Sequence, residues 1–104
     1  MVKRLVWSVT SQQQKKRVFE YWNERNKSKT YSRKLNSLFN EAAEMLPYFP
    51  NLGQKTDFKN VRIKVVGDYW MAYQVKKDEI SILTLWDTRQ NPDKFENILK
   101  TLIE

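Results

Sequence analysis

The sequence of 104 residues contains no cysteine and no histidine. The lack of cysteine excludes disulfides, thiolate zinc sites and cysteine nucleophiles, and the lack of histidine removes the commonest general base and metal ligand. Glycine is scarce as well, because only Gly53 and Gly67 occur, in turn sequences that contain no phosphate-binding motif. Most familiar catalytic arrangements are therefore excluded, and we expect neither a metal nor an organic cofactor.

Long apolar runs are also missing. No segment approaches the roughly 18 apolar residues of a membrane-spanning helix, and residues 1–7 lack the apolar length of a signal peptide. Hydrophobic residues make up 40% of the chain and charged residues 30%, a composition typical of a soluble globular domain. We therefore predict one domain over residues 1–104, located in the cytoplasm and without a membrane partner.

Acidic residues are outnumbered by lysine and arginine, 12 to 19, which gives a net charge of +7. The excess lies mainly in residues 1–34, with ten basic and two acidic residues, and in residues 58–77, with five and one. Such a field attracts polyanions, which include nucleic acid, the ribosome and acidic protein segments. For a single cluster such as Lys15-Lys16-Arg17, a solvated helix face is the more usual interpretation.

The first half of the chain has the patterns of one strand and two helices. Alternation predicts a strand over residues 3–8, and Thr10 or Ser11 can cap the helix that follows, which we expect to end near Asn26. Apolar residues then recur at helical spacing from Tyr31 to Leu46. Because the link between the helices is short, they should form an antiparallel hairpin.

The second half predicts strands at Val61 to Val66, Tyr69 to Val75 and Ile80 to Trp86, joined by links of hairpin length. The third strand is apolar on both sides, so it should be central or covered by a partner. Asn91-Pro92 supplies a cap and a first-turn proline for a final helix. The predicted fold is α+β: an N-terminal strand, an antiparallel helical hairpin, an antiparallel three-strand meander that completes a twisted sheet, and a short C-terminal helix.

One group of cations and aromatics forms a candidate concave site. We expect Arg62 and Lys64 from one strand, Trp70 from its neighbour and Arg89 beyond the third strand to lie near one another. Cations that meet phosphates and rings that stack on bases are the chemistry of single-stranded RNA binding.

Each of these residues also has a structural interpretation. For Trp70 and Trp86, packing in the core or against a protein partner is at least as typical as stacking on bases. Arg89 can form a salt bridge with Asp87 or Asp93.

The order and identity of these elements, over about residues 3–96, resemble the RelE/ParE superfamily of bacterial type II toxins. The matching pieces are Trp7-Ser8, Tyr21-Trp22, Glu24-Arg25-Asn26, Pro50-Asn51-Leu52-Gly53, Val61-Arg62-Ile63-Lys64, Tyr69 to Val75 and Trp86 to Pro92. The resemblance implies a growth-inhibiting toxin that a cognate antitoxin protein holds inactive. It also implies one of two targets: RelE-like members cut messenger RNA in the ribosomal A site, and ParE-like members inhibit DNA gyrase.

The two targets imply different roles for the candidate residues. If the chain is RelE-like, the resemblance assigns Arg62, Lys64 and Arg89 to catalysis without a metal, as stabilisers of the phosphate or as a proton acceptor. Trp70, however, stands where such nucleases carry an arginine, and Phe95 lies near the position of their C-terminal tyrosine. These departures favour a ParE-like or divergent toxin.

Three alternatives follow from this resemblance and its departures. The first is a gyrase-binding toxin, the second a ribosome-dependent ribonuclease, and the third a basic interaction module without toxicity. In each case Trp70, Trp86 and Phe95 are candidates for contact with RNA or a protein partner. The sequence leaves the oligomeric state open.

Overall fold

The computed structural model describes residues 2–103. Five strands form one sheet in the order β1-β5-β4-β3-β2, and three helices cover it. The strands are β1 (Arg4–Trp7), β2 (Gln54–Lys55), β3 (Val61–Val66), β4 (Tyr69–Val75) and β5 (Glu79–Asp87); the helices are α1 (Val9–Asn26), α2 (Thr30–Met45) and α3 (Pro92–Leu102).

The predicted meander is confirmed, since β3, β4 and β5 pair antiparallel in sequence order. β1 pairs parallel with β5, Arg4 opposite Glu79 and Trp7 opposite Ile82. β5 therefore lies between β1 and β4, which confirms the prediction that it is not an edge strand. Its apolar residues on both faces pack under the helical hairpin on one side and under α3 on the other.

β2 was not predicted. Its two residues pair antiparallel with Arg62 and Ile63 of β3. A strand of two polar residues has no hydrophobic alternation to mark it, so the turn composition after Pro50 hides it in the sequence.

The predicted cap of α1 is wrong. Ser8 caps the helix, because its Oγ accepts a hydrogen bond from the Ser11 amide at 3.0 Å and donates one to the Leu83 carbonyl at 2.9 Å. The hydroxyl of Ser11, a predicted cap, is instead buried and donates to the Ser8 carbonyl at 2.8 Å. Ser8 thus joins the start of the helix to β5.

The helical hairpin packs on one face of the sheet, which we call the hairpin face. Its core contains Leu35, Phe39, Ala43 and Leu46 of α2, with Val66, Tyr69, Met71, Tyr73, Ile80, Ile82 and Leu85 of the strands. The apolar periodicity of α2 therefore marks side chains that pack on the sheet, although Leu38 and Met45 of the same pattern are 37% and 46% exposed.

The opposite face of the sheet, which we call the α3 face, is covered by the C-terminal helix. Its buried residues are Val61, Ala72, Leu83, Trp86, Phe95 and Leu99. The predicted start of α3 is confirmed, since the Asn91 side chain accepts a hydrogen bond from the Asp93 amide at 2.9 Å. Among residues 2–103, no helix has the length and apolarity needed to cross a membrane.

Candidate functional site

Arg62 and Lys64 lie on the hairpin face of β3, where they stand opposite Tyr73 and Met71 of β4. Trp70 lies on the α3 face, opposite Val65 and Trp86. Successive side chains of a strand point to opposite faces, so the odd offset between Met71 and Trp70 places the tryptophan behind the sheet. The prediction that Arg62, Lys64 and Trp70 share one concave site is therefore wrong.

Arg62 holds the loop that follows α2. Its Nη1 donates to the Gly53 carbonyl at 2.7 Å and, at 3.4 Å, towards the Asn51 carbonyl. The Arg62 side chain therefore helps to hold the backbone of this loop in place. Lys64 is half-buried beside it on the same face.

Trp70, Trp86 and Phe95 form one aromatic cluster on the α3 face. The ring centroids of Trp70 and Phe95 are 5.3 Å apart at 64°, and those of Trp86 and Phe95 are 5.5 Å apart at 42°. Trp86 and Phe95 are only 7% and 5% exposed. The core-packing interpretation of Trp70 and Trp86 therefore describes this structure, and α3 supplies the third ring.

Arg89 forms an ion pair with Asp87, one of its two predicted partners. Its Nη2 lies 2.6 Å from Oδ2 and its Nε 2.9 Å from Oδ1, and its amide also donates to Oδ1 at 2.9 Å. The hydrogen bonds from Arg89 lower the pKa of the Asp87 carboxyl, and the same contact raises the pKa of Arg89. Asp87 therefore holds the arginine in a fixed fork.

This ion pair lies in the wall of a cleft of about 580 Å³, which we call the β5-end cleft. α1 forms one side, the end of β5 the floor, and Arg89 with α3 the other side. Its lining is Gln14, Arg17, Val18, Tyr21, Tyr69, Leu85, Trp86, Asp87, Arg89, Gln90, Lys94 and Ile98. Cations, phenols and apolar side chains thus meet in one concave surface.

The polar groups of this cleft differ in how well they are paired. Tyr69 accepts a hydrogen bond from Trp22 Nε1 at 2.8 Å, and burial raises the pKa of its hydroxyl. The Arg89 guanidinium lies 5.5 Å from the centroid of the Trp22 ring. Trp86 Nε1, by contrast, is buried and has no acceptor within residues 2–103.

A second pocket, of about 400 Å³, lies beside β2 and β3. Its charged lining residues are Lys55, Asp57, Lys59 and Arg62. It is also basic, but it is separate from the β5-end cleft and shares no residue with it.

The chain matches a known protein family and resembles a solved structure. Residues 5–92 match the model of a family described as the ParE toxin of the type II toxin-antitoxin system parDE. The chain belongs to the ParE toxin family. A solved structure titled "Chromosomal ParDE TA system from P. aeruginosa" is similar in fold, with a TM-score of 0.74 at 17% identity over 83% of this chain and 96% of that one. No curated protein sequence matches the chain.

Membership of the ParE family confirms the predicted superfamily and the predicted ParE-like character. This ParE-family chain is the toxin component of a type II toxin-antitoxin module, and its partner is a cognate antitoxin. The RelE-like alternative is not favoured.

Sequence reasoning identified Arg89 and Trp86 but missed the other parts of the cleft in this ParE-family toxin. Arg17 belonged to a basic run interpreted as a solvated helix face, and Tyr21 was named within a piece of the family resemblance, Tyr21-Trp22. The spacing of Arg17 and Tyr21, four residues apart, was the available signal, because it places both on one side of a helix. Lys94 carried no signal, since only the packing of α3 brings it opposite α1.

Proposed function

We propose that this ParE-family toxin stops growth by binding DNA gyrase in the cytoplasm and that it does not cleave RNA. The arrangement of the candidate catalytic cations carries this proposal. Arg62 and Lys64 lie on the hairpin face, and Arg89 is held by Asp87 at the end of β5. Phosphoryl cleavage needs cations preorganised around one phosphate. Arg62 and Arg89 instead line two different pockets that share no lining residue.

The α3 face supports the same proposal. The strand residues there that surround Trp70 are apolar, and they include Val61, Ile63 and Ala72. Phe95 packs edge-on against Trp70. A face built from apolar and aromatic side chains stabilises the fold, but it offers no group to take a proton or neutralise a phosphate.

A parallel assay of the two targets tests the proposal. Purified toxin is added to gyrase supercoiling reactions, and, separately, to ribosomes programmed with messenger RNA. We expect inhibition of supercoiling and intact message. In cells, induced expression should stop incorporation of labelled thymidine before that of labelled amino acids.

Arg89→Ala tests the alternative that the toxin is a RelE-like ribonuclease. Messenger RNA cut in the A site by the wild type and left intact by Arg89→Ala would establish a RelE-like ribonuclease and overturn the proposal. Supercoiling that persists at a large molar excess of folded toxin would also contradict it. Unimpaired growth after induction would favour an interaction module without toxicity.

A further inference from the structure

Cations gather at the end of the sheet that lies away from the β5-end cleft. The first residues of β1, β3 and β5 and the last residues of β2 and β4 meet at this end. Five cations there form no ion pair within residues 2–103, and we call this surface the basic end of the sheet: Lys3, Lys55, Lys59, Arg62 and Lys77.

The carboxylates at the basic end do not balance this charge. Glu79 is shared by Arg4 and Lys76, at 3.2 and 4.0 Å. Asp57 and Asp78 form no ion pair with any residue in the described part of the chain. Five unpaired cations thus accompany two unpaired carboxylates, so the field at this end attracts anions.

Two of the cations are placed directly opposite each other. Lys55 of β2 is the cross-strand partner of Arg62 of β3. Such partners lie on one face with Cβ atoms roughly 5 Å apart, where like charges destabilise a sheet. Arg62 is held in place, because its Nη1 donates to the Gly53 carbonyl at 2.7 Å. An anion bound between the two side chains would replace this repulsion with attraction.

Lys59 adds a third cation to these two in the pocket of about 400 Å³ beside β2 and β3. The turn that carries it is fixed by hydrogen bonds. Thr56 Oγ1 donates to the Val61 carbonyl at 2.9 Å, and the Asn60 carbonyl accepts from the Val75 amide at 2.7 Å. The backbone under the three cations is therefore ordered before a ligand binds, which lowers the entropic cost of binding.

The basic end continues beyond this pocket. Lys3 and Lys77 line a smaller hollow of about 240 Å³ before β1. Lys3 Nζ donates to the carbonyls of Lys76 and Lys77, at 2.6 and 2.7 Å. β1 and β2 are the two edges of the five-stranded sheet, so strand spacing places Lys3 and Lys55 roughly 19 Å apart. A line of charge of this length suits an extended polyanion better than a small anion.

The side chains of the larger pocket indicate which polyanion fits. Phe58 is the one aromatic residue that lines it within the described chain, and it is half-buried against the α3 face. It therefore offers no free ring for the stacking that holds single-stranded nucleic acid. Val61 is only 1% exposed, so the pocket also lacks the accessible apolar anchor typical of a protein interface.

We propose that the basic end of the sheet binds the sugar-phosphate backbone of duplex DNA. Lys55, Lys59 and Arg62 surround one phosphate, and Lys3 and Lys77 contact the backbone roughly half a helical turn away. Lysine binds phosphate as a point charge, and contacts to phosphate do not read the sequence. The surface therefore accepts duplexes of any sequence. The inference does not rest on gyrase as the target, because it concerns DNA alone.

Fluorescence anisotropy with two labelled duplexes of unrelated sequence tests the inference, using toxin purified from its co-expressed antitoxin complex. The wild type should bind both duplexes equally. The double variant of Lys55→Gln with Lys59→Gln should weaken binding about 10-fold or more at about 0.1 M salt. Its slope of log affinity against log salt should be smaller by about two, and that of Lys77→Gln by about one.

The double variant of Lys34→Gln with Lys100→Gln is the matched control. Both lysines are exposed on helices and unpaired within residues 2–103, so the same charge is lost away from the basic end. This control should bind duplex within about 2-fold of the wild type, since distant charges are screened. Circular dichroism checks that each variant is folded, and Lys77→Gln tests the surface separately if the Lys55 and Lys59 double variant is not.

Binding that weakens no more in the basic-end variants than in the control overturns the inference, because net charge alone then explains it. Tighter binding of a single strand than of the duplex also overturns it. Polyglutamate that competes as well as unlabelled duplex at equal charge would assign the surface to an acidic protein instead.

Gyrase supercoiling measured in parallel separates this inference from the proposed target. A wild-type toxin that binds duplex through the basic end but does not inhibit gyrase contradicts the proposed target and leaves the inference standing. A wild-type toxin that inhibits gyrase but does not bind duplex contradicts the inference alone.

Discussion

The hydroxyl of Tyr73 accepts a hydrogen bond from the amide of Gly53 at 2.8 Å. It also donates to the Pro50 carbonyl at 2.7 Å. Tyr73 is fully buried in β4, and Pro50 and Gly53 belong to the loop that leaves α2. One phenol thus satisfies two backbone groups and joins the hairpin to the middle of the sheet.

Tyr73→Phe should destabilise the protein by about 1–3 kcal/mol, because it removes the partner of a buried amide and of a carbonyl while it keeps the ring. Urea unfolding followed by circular dichroism measures the loss. Tyr48→Phe, at a tyrosine that is 65% exposed, is the control and should change the free energy of unfolding by less than about 0.5 kcal/mol. Equal effects at the two positions would show that the Tyr73 hydrogen bonds contribute little.

Gly53→Ala should be destabilising because the site has no room for a methyl group. A Cβ at this position would lie 2.8 Å from the Ile63 carbonyl oxygen and 2.8 Å from the ring of Tyr73. We expect a cost of about 1–3 kcal/mol from overpacking, measured by thermal or urea unfolding.

Gly67 is the comparison for this prediction, because a Cβ there meets nothing within 4 Å but the backbone has a φ of +59°. Gly67→Asn should be tolerated better than Gly67→Ala, since asparagine adopts this conformation more readily. If Gly53→Ala and Gly67→Asn cost the same, steric contact with Tyr73 is not what limits position 53.

Ser8→Ala should cost about 1–2 kcal/mol of stability, because the hydroxyl caps α1 and also donates to Leu83. Thr10→Ala is the control, since the sequence alone made Thr10 an equal candidate for the cap. Denaturant unfolding of both variants decides between them. A larger loss for Thr10→Ala would contradict the cap seen in the structure.

The ion pair of Asp87 with Arg89 should make stability depend on pH in the acidic range. Hydrogen bonds from Arg89 lower the pKa of Asp87 in the folded state. The stabilisation is therefore present above the unfolded pKa and is lost as the pH falls through the folded pKa, which lies below the usual range of an aspartate carboxyl. The Arg89 side chain is 52% exposed, so we expect less than about 1 kcal/mol.

Melting temperatures of the wild type and Asp87→Asn measure this dependence. The difference between the two proteins should be largest at neutral pH and should shrink as the pH falls. The same comparison in an Arg89→Gln background is the control and should show little pH dependence. A difference between wild type and Asp87→Asn that grows towards low pH would reverse the predicted sign.

Local sequence patterns predicted most helices and strands, because each buries the side chains of one face, and these recur at a spacing characteristic of a helix or a strand. The spacing from Tyr31 to Leu46 predicted α2, and Asn91-Pro92 predicted the start of α3. The cap of α1 was missed because Ser8, Thr10 and Ser11 are alike in isolation, and the contact of Ser8 with Leu83 distinguishes them.

The candidate site was harder to predict because both faces of the sheet are covered. The sequence grouped Arg62 and Lys64 with Trp70, but it could not show that the hairpin packs on the face of Arg62 and α3 on the face of Trp70. The β5-end cleft as a whole could not be found from the sequence, since Arg17 of α1 meets Asp87 and Lys94 only after α1 has packed beside the end of β5.

The parallel pairing of β1 with β5 also has a consequence for synthesis of the toxin. Arg4 and Glu79 are 75 positions apart, so Leu5 and Trp7 have no neighbouring strand until residues 79–82 have left the ribosome. Contacts this far apart in sequence slow folding, because a long loop must close before they form. A nascent chain that stops before Glu79 lacks β5, the strand that joins β1 to β4, so premature termination should release a polypeptide that cannot complete the toxin fold.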